Sequence, residues 1–259
     1  MSAAPAIVLA AFGASSPLAR QAYQAIEANV RAALPQYEIV WAYLSRRIVE
    51  SQRQQGVYLP TLEETYADLA ARGFRSAVVQ PLLIAPGEEY HNLKIVRHNG
   101  LQLYYGAALL EGEEAVKDAL DAIAHHVEPG VPNVLVCHGN RTYSHFNVQL
   151  LELQKLARQR FENLLVASIE GEPGETPLDE ARELARASGE VVFIPFMMVT
   201  GEHISSDVMG DTPDSWRNRV GAARSICRSA LAENSKIHRI FLGRIQAVLQ
   251  LAQKEGGHV

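Results

Sequence analysis

His138 precedes a glycine at the end of one apolar run, His203 follows a Gly-Glu turn at the end of another, and the run leading to His203 has an earlier counterpart with a carboxylate in the histidine's place. Pro195-Phe-Met-Met-Val-Thr-Gly201-Glu202-His203 repeats, without a gap, the pattern of Pro81-Leu-Leu-Ile-Ala-Pro-Gly87-Glu88-Glu89 found 114 residues upstream. A strand that ends in a glycine turn delivers the next side chains to the rim of a sheet, where open α/β folds keep their sites. An imidazole there can take up a proton near neutral pH or bind a divalent ion through a neutral nitrogen. Two such rims facing each other would form a cleft with Glu89 on one wall and His203 on the other.

Further residues could join this chemistry. His138 ends the apolar run Val134-Leu-Val-Cys and Phe12 ends the similar run Val8-Leu-Ala-Ala, each followed by glycine, so the two take equivalent places. Glu170 ends another apolar run and precedes the tight turn Gly171-Glu-Pro-Gly174. Two imidazoles with one or two carboxylates make a donor set suited to cobalt, nickel, iron or zinc. The plainer readings are a strand-end histidine that satisfies its turn and rim carboxylates that face water. The loop from Asp207 to Trp216 could clamp a flat ligand, with Trp216 stacking on it; alternatively Asp214 caps the last helices and Trp216 packs beneath. Arg46, Arg47, Arg53 and Arg141 follow strand ends and could line the rim as forks for carboxylates, or be solvated. His91, His98, His125, His126, His145, His238 and His258 have weaker claims.

The elements that must position these groups alternate as apolar runs and helical periodicities, the pattern of parallel sheets covered on both faces. Strands are predicted over 6–12, 38–43, 76–84 and 101–105, with helices starting near Pro17, Thr61 and Glu89 and another over 112–127. Glu128-Pro-Gly-Val-Pro132 breaks the pattern. Strands are again predicted over 134–139, 164–169 and 191–199, with helices from about Ser144 and Thr176. The tail over 214–253 reads as helical, with Ile237, Ile240, Phe241, Ile245, Val248 and Leu249 on one stripe and Cys227 inside a helix. The expected architecture is α/β: two Rossmann-like lobes related by internal duplication, 1–128 and 129–259, with the cleft between them and terminal helices packing across.

The 259 residues carry 47% hydrophobic and 20% charged side chains, which suits a globular protein. A formal charge of -5 speaks against a nucleic-acid partner. No apolar run approaches the roughly 20 residues of a membrane span, and the first residues do not read as a signal peptide, so a cytoplasmic protein is expected. Two cysteines, Cys137 and Cys227, suggest neither a disulfide framework nor a thiolate site. A homo-oligomer remains compatible with this sequence.

Val136-Cys-His138-Gly139, Ser168-Ile-Glu170-Gly171-Glu-Pro173, and Gly201-Glu-His203 followed by Asp207-Val-Met-Gly-Asp-x-x-Asp-Ser-Trp216 together resemble the anaerobic cobalt chelatases of cobalamin synthesis, the CbiK type, class II chelatases related in fold to ferrochelatase. Phe12-Gly13, Gln80-Pro-Leu and Gly87-Glu-Glu-Tyr90 extend the resemblance over nearly the whole chain. After the first histidine, His138-Gly-Asn140-Arg141-Thr departs from the family's usual Gly-Thr-Glu-His-His run. The resemblance implies ATP-independent insertion of Co(II) into sirohydrochlorin or precorrin-2, with cobalt as substrate and no organic cofactor. By position it implies His138 as the base that takes pyrrole protons, His138, His203 and Glu170 as metal ligands, and Glu89, with Phe12 and Trp216, against the macrocycle. Competing readings are a ferrochelatase built from the same parts, a bilobal protein that binds metal or tetrapyrrole without turnover, and a phosphohydrolase suggested by His138-Gly139 with Arg141.

Overall fold

Consecutive apolar residues without alternation need cover on both faces, and that is where the strands lie in a computed structural model describing residues 4–112 and 114–256. The first sheet comprises β1 (Ala6–Ala11), β2 (Ile39–Tyr43), β3 (Ser76–Leu82) and β4 (Gln102–Tyr105), all parallel, in the order β2-β1-β3-β4. Every residue of β1 is fully buried. The second sheet comprises β5 (Asn133–Cys137), β6 (Leu164–Ser168), β7 (Glu190–Pro195) and β8 (Arg224–Cys227), all parallel, in the order β6-β5-β7-β8.

The two orders are the same, and so is the register. Ala10 lies beside Pro81 in the first sheet and Val136 beside Pro195 in the second. Ser76 lies beside Gln102, and Glu190 beside Arg224. Even the exit from the fourth strand repeats. The Gly106 and Leu109 amides donate to the carbonyls of Val79 and Leu83, as the Arg228 and Leu231 amides donate to those of Phe193 and Met197. The duplication expected from one nine-residue pattern thus extends through both sheets.

Helices cover the sheets: α1 (Pro17–Ala33), α2 (Arg46–Gln54), α3 (Leu62–Ala71), α4 (Glu88–Ile95), α5 (Ala115–Ile123), α6 (Val148–Arg160), α7 (Pro177–Ser188), α8 (Trp216–Val220) and α9 (Ser235–Gly256). Local chemistry sets their starts. Ser16 caps α1 just before Pro17, and Thr61 and Glu64 form a reciprocal capping box on α3, with bonds of 3.3 and 2.8 Å. The helix expected from Ser144 opens as a 3₁₀ turn over Ser144–Asn147 before α6.

Two expectations need correction, and one helix was not foreseen. The tail over 214–253 is not continuous helix: Gly221, at φ 69°, ends α8, and the edge strand β8 follows, so Cys227 is a strand residue. Four half-exposed residues give no readable periodicity. The strand expected over 191–199 leaves the sheet after Pro195, because the carbonyls of Met197 and Met198 turn to the amides of Leu231 and Ala232. Helix α2 escaped the sequence reading because Arg-Arg-Ile-Val-Glu-Ser-Gln-Arg-Gln is mostly polar and buries only Val49 and Gln52.

The chain divides into two compact units. One holds β1–β4 with α1–α4 and α9; the other, Leu110–Asn234, holds α5–α8 and β5–β8. This division differs from the boundary expected after residue 128. Helix α5 joins the second unit through α6, where Asp121 pairs with Arg160. Helix α9 joins the first unit: Ile237, Phe241, Ile245 and Leu249 are buried, Arg244 donates to the carbonyls of Ala107 and Leu109 at 3.1 and 2.8 Å, and His238 meets Asn29 at 2.7 Å. Gly243 lies in the helix with nothing near the place a side chain would take.

Candidate functional site

In the second sheet β5 leads to β6 on one side, while β7 takes the other. The connections leaving β5 and β7 therefore diverge and open a crevice at their carboxyl ends, the place where open α/β sheets bind ligands. His138 is the first residue beyond β5, and His203 lies on the connection after β7. Their ring centroids are 5.0 Å apart with planes at 79°. His138 is exposed and the His203 side chain is 43% exposed, so both rings are open to a ligand. The two imidazoles, 65 positions apart in sequence, are neighbours within one unit.

Each ring is held through Nδ1. The His138 Nδ1 lies 2.8 Å from the Gly139 carbonyl, and the His203 Nδ1 lies 2.6 Å from Oδ2 of Asp207. A carbonyl and a carboxylate can only accept, so Nδ1 carries the proton in both neutral rings and the lone pair resides on Nε2. This is the arrangement in which an imidazole serves as a metal ligand or proton acceptor. His203 opens a wide π-type turn, His203–Val208, in which the Met209 amide reaches back to the Ile204 carbonyl and Asp207 comes beneath the ring. Gly210 is required there, since a β-carbon would come within 2.1 Å of the Ser206 carbonyl oxygen.

Glu170 reaches His138 through the backbone: its amide donates to the His138 carbonyl at 2.7 Å. The two loops touch so closely that a β-carbon on Gly139, at φ 77°, would fall 1.7 Å from the Glu170 carbonyl oxygen. Asn147, buried, fixes the loop after His138 by accepting from the Asn140 amide and donating to its carbonyl, both at 2.8 Å. This is the run singled out above as departing from the resembled pattern, and its backbone is pinned at Asn140. The Glu170 carboxylate, half-buried, makes no hydrogen bond or ion pair among the described residues. Among the described residues no three histidine, cysteine or carboxylate side chains converge as a ready-made cage. The imidazole pair is thus an open edge. Cys137, beside His138, is fully buried, and burial pushes its thiol up, which keeps it protonated.

Trp216 corrects an expectation. It is 1% exposed, packs in the second unit's core with Val134, Leu178 and Phe193, and donates its indole N–H to Glu175 at 3.1 Å. It is therefore unavailable for stacking on a ligand. The cap of α8 is Ser215 rather than Asp214. Asp211 pairs with Arg217, whose Nε donates to the Gly210 carbonyl at 2.9 Å, so the loop braces itself.

In the first unit, Phe12 follows β1 with 42% exposure, and Glu89 is partly buried in the first turn of α4. Among the remaining histidines, His126 is pushed down to about 4 by burial and by His125 and Arg228, His238 is buried, His145 lies against Phe146, and His258 is outside the described residues. Sequence reasoning placed Asp207 in a loop that could clamp a ligand and in the motif behind the chelatase resemblance, without pairing it with His203. Its spacing of four from His203 was the signal that could have marked it as the partner of that ring.

Comparison with known proteins identifies the family and the fold. The family profile of the cobalt chelatase CbiK matches residues 5–250. The sirohydrochlorin cobaltochelatase of Salmonella typhimurium is 27% identical over 245 residues, covering 89% of this chain and 90% of that protein. The sirohydrochlorin cobaltochelatase CbiKC of Nitratidesulfovibrio vulgaris is 25% identical over 262 residues, covering 94% and 90%. The fold is that of SirB from Bacillus subtilis with Fe3+, matched with a TM-score of 0.65 at 15% identity over 99% of this chain and 98% of that one. A two-lobed α/β chain with paired imidazoles at a sheet edge, matched by that profile over nearly its full length, belongs to the CbiK family of cobalt chelatases.

Proposed function

We propose that this protein inserts Co(II) into sirohydrochlorin, or its precursor precorrin-2, without ATP, as a cytoplasmic enzyme of the anaerobic route to cobalamin that uses no organic cofactor. The observation that carries this reading is the His138–His203 pair, two Nε2 lone pairs on rings 5.0 Å apart at the open edge of a sheet. Family membership and relatives named for the same reaction support it.

The reaction sets the requirements. A tetrapyrrole loses two pyrrolic N–H protons as the metal enters, so a proton acceptor and a metal-holding group must both reach the ring. In this reading His138 and His203 hold Co(II) with Glu170, and His138 takes a pyrrole proton once its nitrogen is released to that task. A single nitrogen cannot do both at one moment, which is why more than one donor is present. Glu89 and Phe12, at the corresponding edge of the first sheet, contact the macrocycle. Binding energy from the carboxylate-bearing periphery helps to distort the ring so that its nitrogen lone pairs face the metal.

The test is the absorbance change of sirohydrochlorin on adding protein and Co(II) without ATP. Insertion faster than the protein-free rate is expected, and a rate equal to it would sink the reading. His138→Ala should lose about 10²–10⁴-fold in rate, the usual worth of a positioned base, with the melting temperature kept. Imidazole and carboxylate discriminate poorly among neighbouring divalent ions. The same assay with competing Fe(II) therefore separates cobaltochelation from ferrochelation.

A further inference from the structure

Asp207 lies outside the donor set assigned above, yet it makes a short polar contact with it: its Oδ2 is 2.6 Å from the His203 Nδ1. Asp207 is exposed and makes no ion pair with a lysine or arginine among the described residues; its polar contact is with His203. The wide turn His203–Val208 brings the carboxylate, four residues on, to the ring. A neutral imidazole free in water favours the tautomer with the proton on Nε2, which would block the nitrogen that has to bind the ion. His138 avoids this through the Gly139 carbonyl, held in a loop pinned by Asn147. Among the described residues His203 has no such carbonyl contact and relies on a side chain.

We propose that Asp207 is a positioning residue for metal capture. Its carboxylate locks the neutral His203 ring in the Nδ1–H tautomer and orientation, so that Nε2 is available beside the matching nitrogen of His138. The tautomer claim stands on the geometry alone, while its consequence for metal capture rests on the functional reading above. Loss of an outer partner of this kind typically weakens metal binding about 10–100-fold.

The experiment uses the full chain with ¹⁵N-labelled histidine at a pH where the rings are neutral. Long-range ¹H–¹⁵N correlation reads the His203 tautomer, and calorimetry with Co(II) alone reads affinity. In the wild type the Nδ1–H form should dominate. In Asp207→Ala, with circular dichroism unchanged, the Nε2–H form should appear and Co(II) affinity should fall about 10–100-fold. An unchanged tautomer with weaker binding would overturn the proposal and make Asp207 a direct ligand. A changed tautomer with unchanged affinity would overturn its role in capture. Neither readout depends on turnover, so a wild type that binds Co(II) and shows the expected tautomer but inserts no metal into sirohydrochlorin would overturn the functional reading and leave Asp207 standing.

Discussion

At the edge of the first sheet, Phe12 follows β1 and Glu89 follows β3; at the edge of the second, His138 follows β5 and His203 follows β7, in the same register. The backbone makes the same sheet edge twice, yet at these matched positions only the second copy carries imidazoles. Beyond the glycine turn the two diverge further. Gly87 opens the regular helix α4, whereas Gly201 leads into the π-type turn that sets Asp207 under His203. A duplicated frame therefore fixes where side chains emerge, and the residue types at those points divide the labour. On the functional reading proposed above, the second unit would handle metal and proton, and the first would offer an aromatic face and a carboxylate.

The largest test of this division sets His203 against Glu89. His203→Ala should weaken Co(II) binding by at least about tenfold by calorimetry, whereas Glu89→Ala should leave that affinity within about twofold and raise the KM for sirohydrochlorin. Equal cobalt losses in the two variants would erase the proposed split.

The aromatic residues sharpen the same contrast. Trp216→Ala removes a fully buried indole and should cost about 3–5 kcal/mol in denaturant unfolding, while Phe12→Ala, at 42% exposure, should act on macrocycle binding with little change in stability. A stable Trp216→Ala variant would contradict its place in the core.

Next come the paired glycines. Gly139→Ala meets the Glu170 backbone at 1.7 Å, whereas Gly13→Ala meets only the Ile48 side chain at 3.1 Å. Both sit at positive φ and carry about 1–2 kcal/mol of backbone strain. The extra clash should make Gly139→Ala clearly the less stable of the two by melting temperature. The reverse order would mean that the loops of the second unit are not held as described.

The smallest difference concerns acid. His126, in the second unit, has its folded value depressed to about 4, so the unfolded chain takes up its proton first, and stability present above about pH 6.5 is lost as pH falls towards 4. Glu64, in the first unit, is held below its ordinary range chiefly by the Thr61 backbone N–H, with Arg53 adding to the effect. Its contribution is present above about pH 4.5 and lost below that. Hydrogen exchange followed from pH 7 to 4 should show the second unit loosening first. His126→Gln should remove that early loss; an unchanged profile would clear His126 of responsibility.

Much of this was legible in the chain because it is written in local patterns. Continuous apolar runs marked seven of the eight strands, the Pro-to-Gly-Glu repeat marked the duplication, and the glycines at positions 139 and 201, next to or near the two histidines, marked sheet-edge positions. The edge strand β8 was hidden because four half-exposed residues carry no period, although the duplication itself called for a counterpart to β4. Trp216 was misread because burial depends on what packs above a residue, and its neighbours Val134, Leu178 and Phe193 are distant in sequence.

Residue type and spacing alone determined that imidazoles and carboxylates would emerge at the carboxyl edges of parallel strands, since strand period and glycine turns are properties of short segments. Only the tertiary structure decided that His138 and His203 share one sheet's edge, that their free nitrogens are both Nε2, and that Asp207 meets His203 while Trp216 is buried in the core. Those outcomes depend on strand order and on contacts a few ångströms long between segments far apart in the chain, which no local pattern encodes.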